Sequence, residues 1–381
     1  MQPLRLGPGE TALGISVLLS TSFAVLLPVI PVIVERKGGA GVAGAATASL
    51  LATTVVSEFL APVVMARVSP RVLVIAGMLF VGLPCIVYFI PGVSLAVILS
   101  ATALRGVGVG VTGVVCMALA ARHARPERRG ASIGLYGTAF TLPFFAGPPL
   151  GLLLLANGLG GVAAAISGAA GVLGAAAGVL IHDDRAALPG VSLRKLVPPA
   201  AVLAVVPALV LANMTFGVAV TFLPLVLPVV GVGSAATFLL VSGIARVVAR
   251  FGSGLLSDRF SPEPVMLAAV VAALLGLGGL ALSPPGSAVV VIAAAIYGLG
   301  SGGVQTAAFL AMLKRGATTD VRVVTGGWNT AVDIGTGGGA AVFGLISAAA
   351  GLNIVLPLLP LLAAAAIVPA LFLVRPARAA S

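Results

Sequence analysis

The stretch His182-Asp-Asp-Arg-Ala-Ala-Leu-Pro-Gly-Val-Ser-Leu-Arg-Lys-Leu-Val-Pro198 is the longest polar interruption in a chain of 381 residues that is 60% hydrophobic and 8% charged. What flanks it decides the fold. Soluble domains carry roughly a quarter charged residues, and a mean hydropathy of +1.21 places this chain among polytopic membrane proteins. A spanning helix needs about 20 mostly apolar residues. Polar or Gly/Pro punctuation yields six such segments before the interruption, at 11–34, 41–66, 71–90, 93–121, 130–156 and 160–181. Six more follow, at 199–230, 232–257, 264–283, 287–313, 322–348 and 352–374. The expected fold is all-α, with twelve transmembrane helices in two pseudo-symmetric six-helix bundles, 1–181 and 199–381, joined by a cytoplasmic linker at 182–198. The first apolar stretch is too long for the apolar region of a cleaved leader and is read as a span.

The two halves resemble each other at a constant offset of 192: Glu58 falls on Arg250, Pro62 on Gly254 and Arg67 on Arg259. At the same offset Arg105-Gly106-x-Gly108-x-Gly110 falls on Tyr297-Gly298-x-Gly300-x-Gly302, and Tyr136-Gly137-Thr138-Ala139 on Trp328-Asn329-Thr330-Ala331. Gap-free matches this far apart indicate a parallel internal repeat, a standard transporter construction.

Charge placement sets the orientation. With both termini cytoplasmic, sixteen of the 21 basic residues lie on that side, Arg36 and Lys37 lie outside, and Arg105, Arg246 and Arg250 fall within spans. This is the positive-inside bias. It explains the +11 balance without nucleic acid, because the basic residues are spread over many short loops. Cys85 and Cys116 sit in apolar segments, and His123 and His182 in loops, so no disulfide framework or metal spacing is present. No P-loop pattern occurs, so an intrinsic ATPase drive is not indicated, and no cofactor is expected.

Several motifs carry a resemblance. The eighth span ends Gly254-Leu-Leu-Ser-Asp258-Arg259, where a small residue permits close helix crossing and an acid–base pair can bridge helix ends. Its counterpart, Pro62-Val-Val-Met-Ala66-Arg67-Val-Ser-Pro-Arg71, keeps the arginines but has Ala66 in place of an acid. Together with Arg105-Gly-Val-Gly-Val-Gly110 and Gly137-Thr-Ala-Phe-Thr-Leu-Pro-Phe-Phe-Ala-Gly147-Pro148-Pro149-Leu-Gly151, these segments resemble the major facilitator superfamily over essentially the whole chain. The last segment is similar to the Gly-Pro motif of its drug and metabolite antiporters. The resemblance implies gating roles for Arg67, Arg71, Gly147, Pro148, Gly151, Gly254, Asp258 and Arg259, with the first loop departing from the family pattern at Ala66.

Five ionisable residues fall inside spans: Glu58, Arg105, Arg246, Arg250 and Asp333. Each costs several kcal/mol to bury unless it is paired or faces water, which makes them candidates for function. At 1.5 Å per residue, Glu58 and Arg250 lie roughly 13 Å, and Asp333 and Arg246 roughly 16–19 Å, from the cytoplasmic helix ends. The resemblance implies that the second and eleventh helices meet, so that Glu58, Arg250 and Asp333 could form a network that is made and broken during transport. Glu58 is read either as a proton carrier or as a permanently ionised partner of an arginine. Arg105, unable to deprotonate, would tune a carboxylate or hold an anion, or else pack through carbonyl hydrogen bonds. The spacing of Arg246, Arg250 and Asp258 fits a structural ladder on one helix face.

Neutral cavity candidates are Phe23, Asn213, Phe216, Phe222, Gln305, Trp328 and Asn329, an amphiphilic set suited to a small organic ligand. The expected function is secondary active export of a drug-like molecule or secondary metabolite across a bacterial plasma membrane by proton antiport, carried out by a monomer in the lipid bilayer, with the small molecule and protons as partners and no enzyme activity. Two alternatives stand beside it: a symporter or facilitator taking up an organic anion or nutrient, and a non-transporting sensor or membrane enzyme of the same fold.

Overall fold

The structure is a computed structural model, and it describes residues 7–123, 139–181, 198–284, 287–319 and 321–374. The interruption at 182–198 and the start of the fifth span lie almost wholly outside the described residues.

Among these residues the chain is helical. The first half holds α1 (Pro8–Leu26), α2 (Val29–Val64), α3 (Pro70–Gly82), α4 (Leu95–His123), α5 (Pro143–Ala156) and α6 (Gly160–Gly178). The second holds α7 (Val206–Val226), α8 (Ala235–Phe260), α9 (Pro262–Leu282), α10 (Val289–Arg315), α11 (Val321–Ala350), α12 (Val355–Ala365) and α13 (Ile367–Val374). Eleven stretches of the described chain are long and apolar enough to cross a membrane. The first, Pro8–Val64, runs 57 residues. At 1.5 Å per residue that is roughly 85 Å against a hydrocarbon core of about 30 Å, so it holds two crossings. The helix breaks at Gly39, whose φ of 79° suits a residue without Cβ. Counted this way, the described residues contain the twelve crossings expected.

Prolines shape the helices in ways the hydropathy pattern does not show. The 71–90 span is helical only to Gly82 and continues as a 3-10 helix over Leu83–Phe89, with Pro84 near its start. Pro84 has no N–H to give the α-helical ladder. The 199–230 span is a helical turn (Ala200–Leu203) followed by α7, and the last span divides between α12 and α13 ahead of Pro369. Helix starts are conventional: Ser69 Oγ accepts from Val72 N (3.4 Å) and Ser234 Oγ from Thr237 N (3.1 Å).

Contacts divide the chain into two compact units: residues 1–37 with 49–194, and 38–48 with 195–381. Residues 38–48, the part of α2 that begins at the Gly39 break, group with the second unit, where Thr221 Oγ1 donates to Thr47 Oγ1 (3.0 Å).

Inside each unit the same glycine packing recurs at the 192-residue offset. In the first, a Cβ at Gly106 would lie 2.1 Å from Leu50 O, at Gly108 2.3 Å from Gly77 O, and at Gly110 2.4 Å from Thr54 O. In the second, a Cβ at Gly298 would lie 2.4 Å from Ser242 O, at Gly300 2.6 Å from Ala269 O, and at Gly302 2.4 Å from Arg246 O. Each residue of the second set is its counterpart plus 192. Small residues on α4 and α10 thus let backbones approach closely, the usual basis of helix packing in lipid. The second unit's core gathers Leu209, Val270, Val304, Ala308 and Met312 from α7, α9 and α10.

Candidate functional site

Among its described residues the first unit holds one fully buried cation. Arg105 on α4 has 0% exposure. Its Nε donates to Val81 O (3.1 Å) and its Nη2 to Ser22 O (2.7 Å), tying α4 to α3 and α1. The guanidinium carbon lies 5.8 Å from the Tyr88 ring centroid, and Tyr88 Oη is 3.1 Å from Thr102 Oγ1. Every partner is neutral, and among the described residues Nη1 and Ser22 Oγ form no hydrogen bond. Carbonyl hydrogen bonds are the second of the two readings of Arg105, and these two are of that kind. Which carbonyls they are, and the presence of Tyr88 and Thr102, escaped the sequence reading, since nothing in the spacing links them to Arg105. Nearby on α1, Phe23 is buried and its ring lies 5.5 Å from that of Phe144. Glu58, on α2, is half-buried.

The second unit assembles more of the expected residues. Arg250 on α8 donates through Nη2 to Gln305 Oε1 on α10. Gln305 Nε2 donates to Asn213 Oδ1 on α7 (2.7 Å), and Asn213 Nδ2 to Leu209 O (2.8 Å). From α11, Trp328 Nε1 donates to Gln305 O (3.0 Å), and its ring meets Phe309 edge-on at 5.7 Å. One turn above Arg250, Arg246 donates through Nε to Ser301 Oγ (3.2 Å) and its guanidinium covers the Phe216 ring at 4.0 Å, a cation–π contact. Tyr297, the counterpart of Arg105, places its hydroxyl 3.1 Å from Thr215 Oγ1 and stacks on Phe238.

Of the seven cavity candidates, Phe216, Trp328 and Asn329 are half-buried; Asn213 and Gln305 are buried within the amide chain, Phe23 is buried, and Phe222 is fully enclosed. Asp333, one turn beyond Asn329 on α11, is half-buried. The ladder expected along α8 is not formed. Arg246 turns to Phe216 and Ser301, Arg250 reaches Gln305, and Asp258 is exposed with no ion pair among the described residues. A guanidinium flanked by amides and rings on neighbouring helices reaches those before a carboxylate two turns away.

The motif residues divide into two kinds. Gly147 and Gly151 on α5 are packing positions, where a Cβ would fall 2.8 Å from Ala24 Cβ and 1.9 Å from Val25 O on α1, with buried Pro148 between them. The close crossing expected at Gly254 is absent, since among the described residues nothing lies within 4 Å of a Cβ there. Arg67 and Arg259 are exposed and Arg71 half-buried. Two ion pairs are formed instead by Glu263 in the first turn of α9, 3.4 Å from Lys314 Nζ and 3.6 Å from Arg315 Nη2 at the end of α10. Arg315 also donates to Leu373 O on α13 (3.3 Å). Only the excess of bases at helix ends could have hinted at this clasp. Glu263→Ala is expected to destabilise the second unit by about 1 kcal/mol, as partly screened charge pairs do. Thermal unfolding in detergent reads this, and an unchanged midpoint would show the clasp to be inert.

Buried arginines, an amide chain and half-buried polar groups within apolar spans mark a multi-pass membrane protein with polar groups held between its helices. A family profile described as Major Facilitator Superfamily matches residues 12–340, and the chain belongs to that family. The crystal structure of a point mutant of the nucleoside transporter NupG is similar in fold, with a TM-score of 0.68 at 13% identity over 96% of this chain and 99% of that one. A search of curated protein sequences finds no match.

Proposed function

We propose that the protein exports a small organic molecule across the plasma membrane by alternating access and proton antiport, with both termini in the cytoplasm. The observation that carries this reading is the pair Asn329 and Asp333, one turn apart on one face of α11 and both half-buried inside a span, with half-buried Trp328 next to Asn329 along the helix. A carboxyl group at such depth is costly unless it meets water or a ligand. Beside an indole face and an amide, it offers a small amphiphilic molecule both a ring contact and a titratable group. Glu58 is the second carboxyl in a span and the second candidate carrier. The orientation is supported by the basic bias of the loops, and the antiport direction by the Gly147-Pro148 segment.

The test is flux in proteoliposomes under an imposed pH gradient, using a panel of amphiphilic drugs, aromatic metabolites and nucleosides. Nucleosides are included because the structurally similar NupG is a nucleoside transporter. Asp333→Asn is expected to reduce gradient-driven accumulation by about 5- to 150-fold, the range of ordinary coupling free energies, while downhill exchange persists. Unchanged gradient dependence in both Asp333→Asn and Glu58→Gln would exclude these carboxyls as carriers.

A further inference from the structure

Gln305 is the junction of four helices. Its side-chain oxygen accepts from Arg250 on α8, its side-chain nitrogen donates to Asn213 on α7, and its backbone oxygen accepts from the Trp328 indole on α11, while the residue itself belongs to α10. The chain of bonds has a fixed direction. A guanidinium has five donors and no acceptor, so the Gln305 oxygen must face Arg250 and its NH2 must face Asn213. The Asn213 NH2 is then left for Leu209 O, where it is found. Oδ1 and Nδ2 of Asn213, like Oε1 and Nε2 of Gln305, are therefore each already engaged. Both residues are almost wholly enclosed, at 3% and 4% exposure. Each amide keeps a second N–H and a second lone pair, but at that enclosure a ligand reaches them only by displacing their neighbours, so their role lies in placing other groups.

Two groups are placed. One is the Arg250 guanidinium, a cation within a span. The other is the indole of Trp328, half-buried and braced edge-on by Phe309. Because side chain and carbonyl belong to one residue of α10, a shift or rotation of that helix at Gln305 displaces both the amide that holds Arg250 and the carbonyl that anchors the indole.

We propose that Gln305 is a positioning residue that couples the Trp328 indole to the Arg250 guanidinium, so that a ring-bearing substrate stacking on Trp328 alters the hold on Arg250. The substrate part rests on the reading that Trp328 faces the transported molecule; the coupling does not.

Trp328 is the single tryptophan of the chain, so intrinsic emission reports it alone. The experiment compares wild type, Gln305→Met, Arg250→Met and the double variant, each purified into nanodiscs without substrate, by emission maximum and acrylamide quenching. Both single variants are expected to shift emission to longer wavelength and raise quenching, with the double no further shifted than either single, the non-additivity that marks a shared path. Arg250→Met emitting as wild type, or shifts that add, would overturn the coupling. If Gln305→Met fails to fold, Gln305→Glu serves in its place, since it keeps an acceptor for Arg250: wild-type emission supports the proposal and a shift as large as that of Arg250→Met overturns it.

The transport arm separates positioning from loss of fold. Gln305→Met is expected to raise KM about tenfold or more, the effect of losing a hydrogen bond to a charged group, with kcat per folded molecule retained. A fall in kcat alone would overturn the positioning role. If emission is coupled but Trp328→Phe leaves KM unchanged, the coupling stands and the substrate-facing reading of Trp328 fails.

Discussion

Arg105→Met is expected to lower transport by at least about 100-fold, a rise of about 3 kcal/mol in the barrier, and to leave thermal stability little changed, because the two hydrogen bonds lost are offset by the desolvation cost removed. The two expectations follow from one geometry. The guanidinium is fully enclosed and its partners, Ser22 O, Val81 O and the Tyr88 ring, are all neutral. Desolvating a charge costs several kcal/mol, and apolar replacements of buried charges are often neutral or stabilising. A methionine fills much of the same volume. A cation kept at such cost, with no carboxylate beside it among the described residues, is retained for what it does. Arg105→Lys is not expected to restore transport, because an ammonium lacks the planar fork that reaches two carbonyls at once. Flux in proteoliposomes and unfolding in detergent check the pair. A variant that transports normally but melts early would make Arg105 a packing residue.

Gly106→Val and Gly298→Val are each expected to eliminate folded protein. The new Cβ would sit 2.1 Å from Leu50 O in one case and 2.4 Å from Ser242 O in the other. Both obstacles are helix backbone, which cannot swing aside as a side chain would. Overpacking costs about 1–3 kcal/mol per misfit, and more where backbones must separate, against a net stability of about 5–15 kcal/mol. Gly254→Val, with open space around it, is expected to fold normally. Size-exclusion profiles of the three variants give the answer. Different outcomes for Gly106 and Gly298 would contradict the equivalence of the two units' packing.

The spans were legible because hydropathy over about 20 residues is set by the solvent each helix meets, not by its neighbours. The 192-residue repeat was legible for a related reason: glycines needed for close approach recur wherever the same helix pair is packed. Partners were less so. Arg105 was singled out by its charge, yet its contacts come from α1 and α3 and leave no mark in local spacing. The arginines of α8 suggested a ladder because one helix face can be read from sequence, whereas Phe216, Ser301 and Gln305 stand on other helices. At Pro84 a residue-level rule was available, but apolarity alone gave no reason to expect a 3-10 segment.

The central claim, proton-driven export, is tested most directly by flux of an identified substrate into inside-out vesicles while the imposed pH gradient is reversed. Antiport predicts that accumulation requires an acidic lumen and collapses when the lumen is made alkaline. Accumulation that instead requires an acidic exterior, or is indifferent to the gradient, would contradict it.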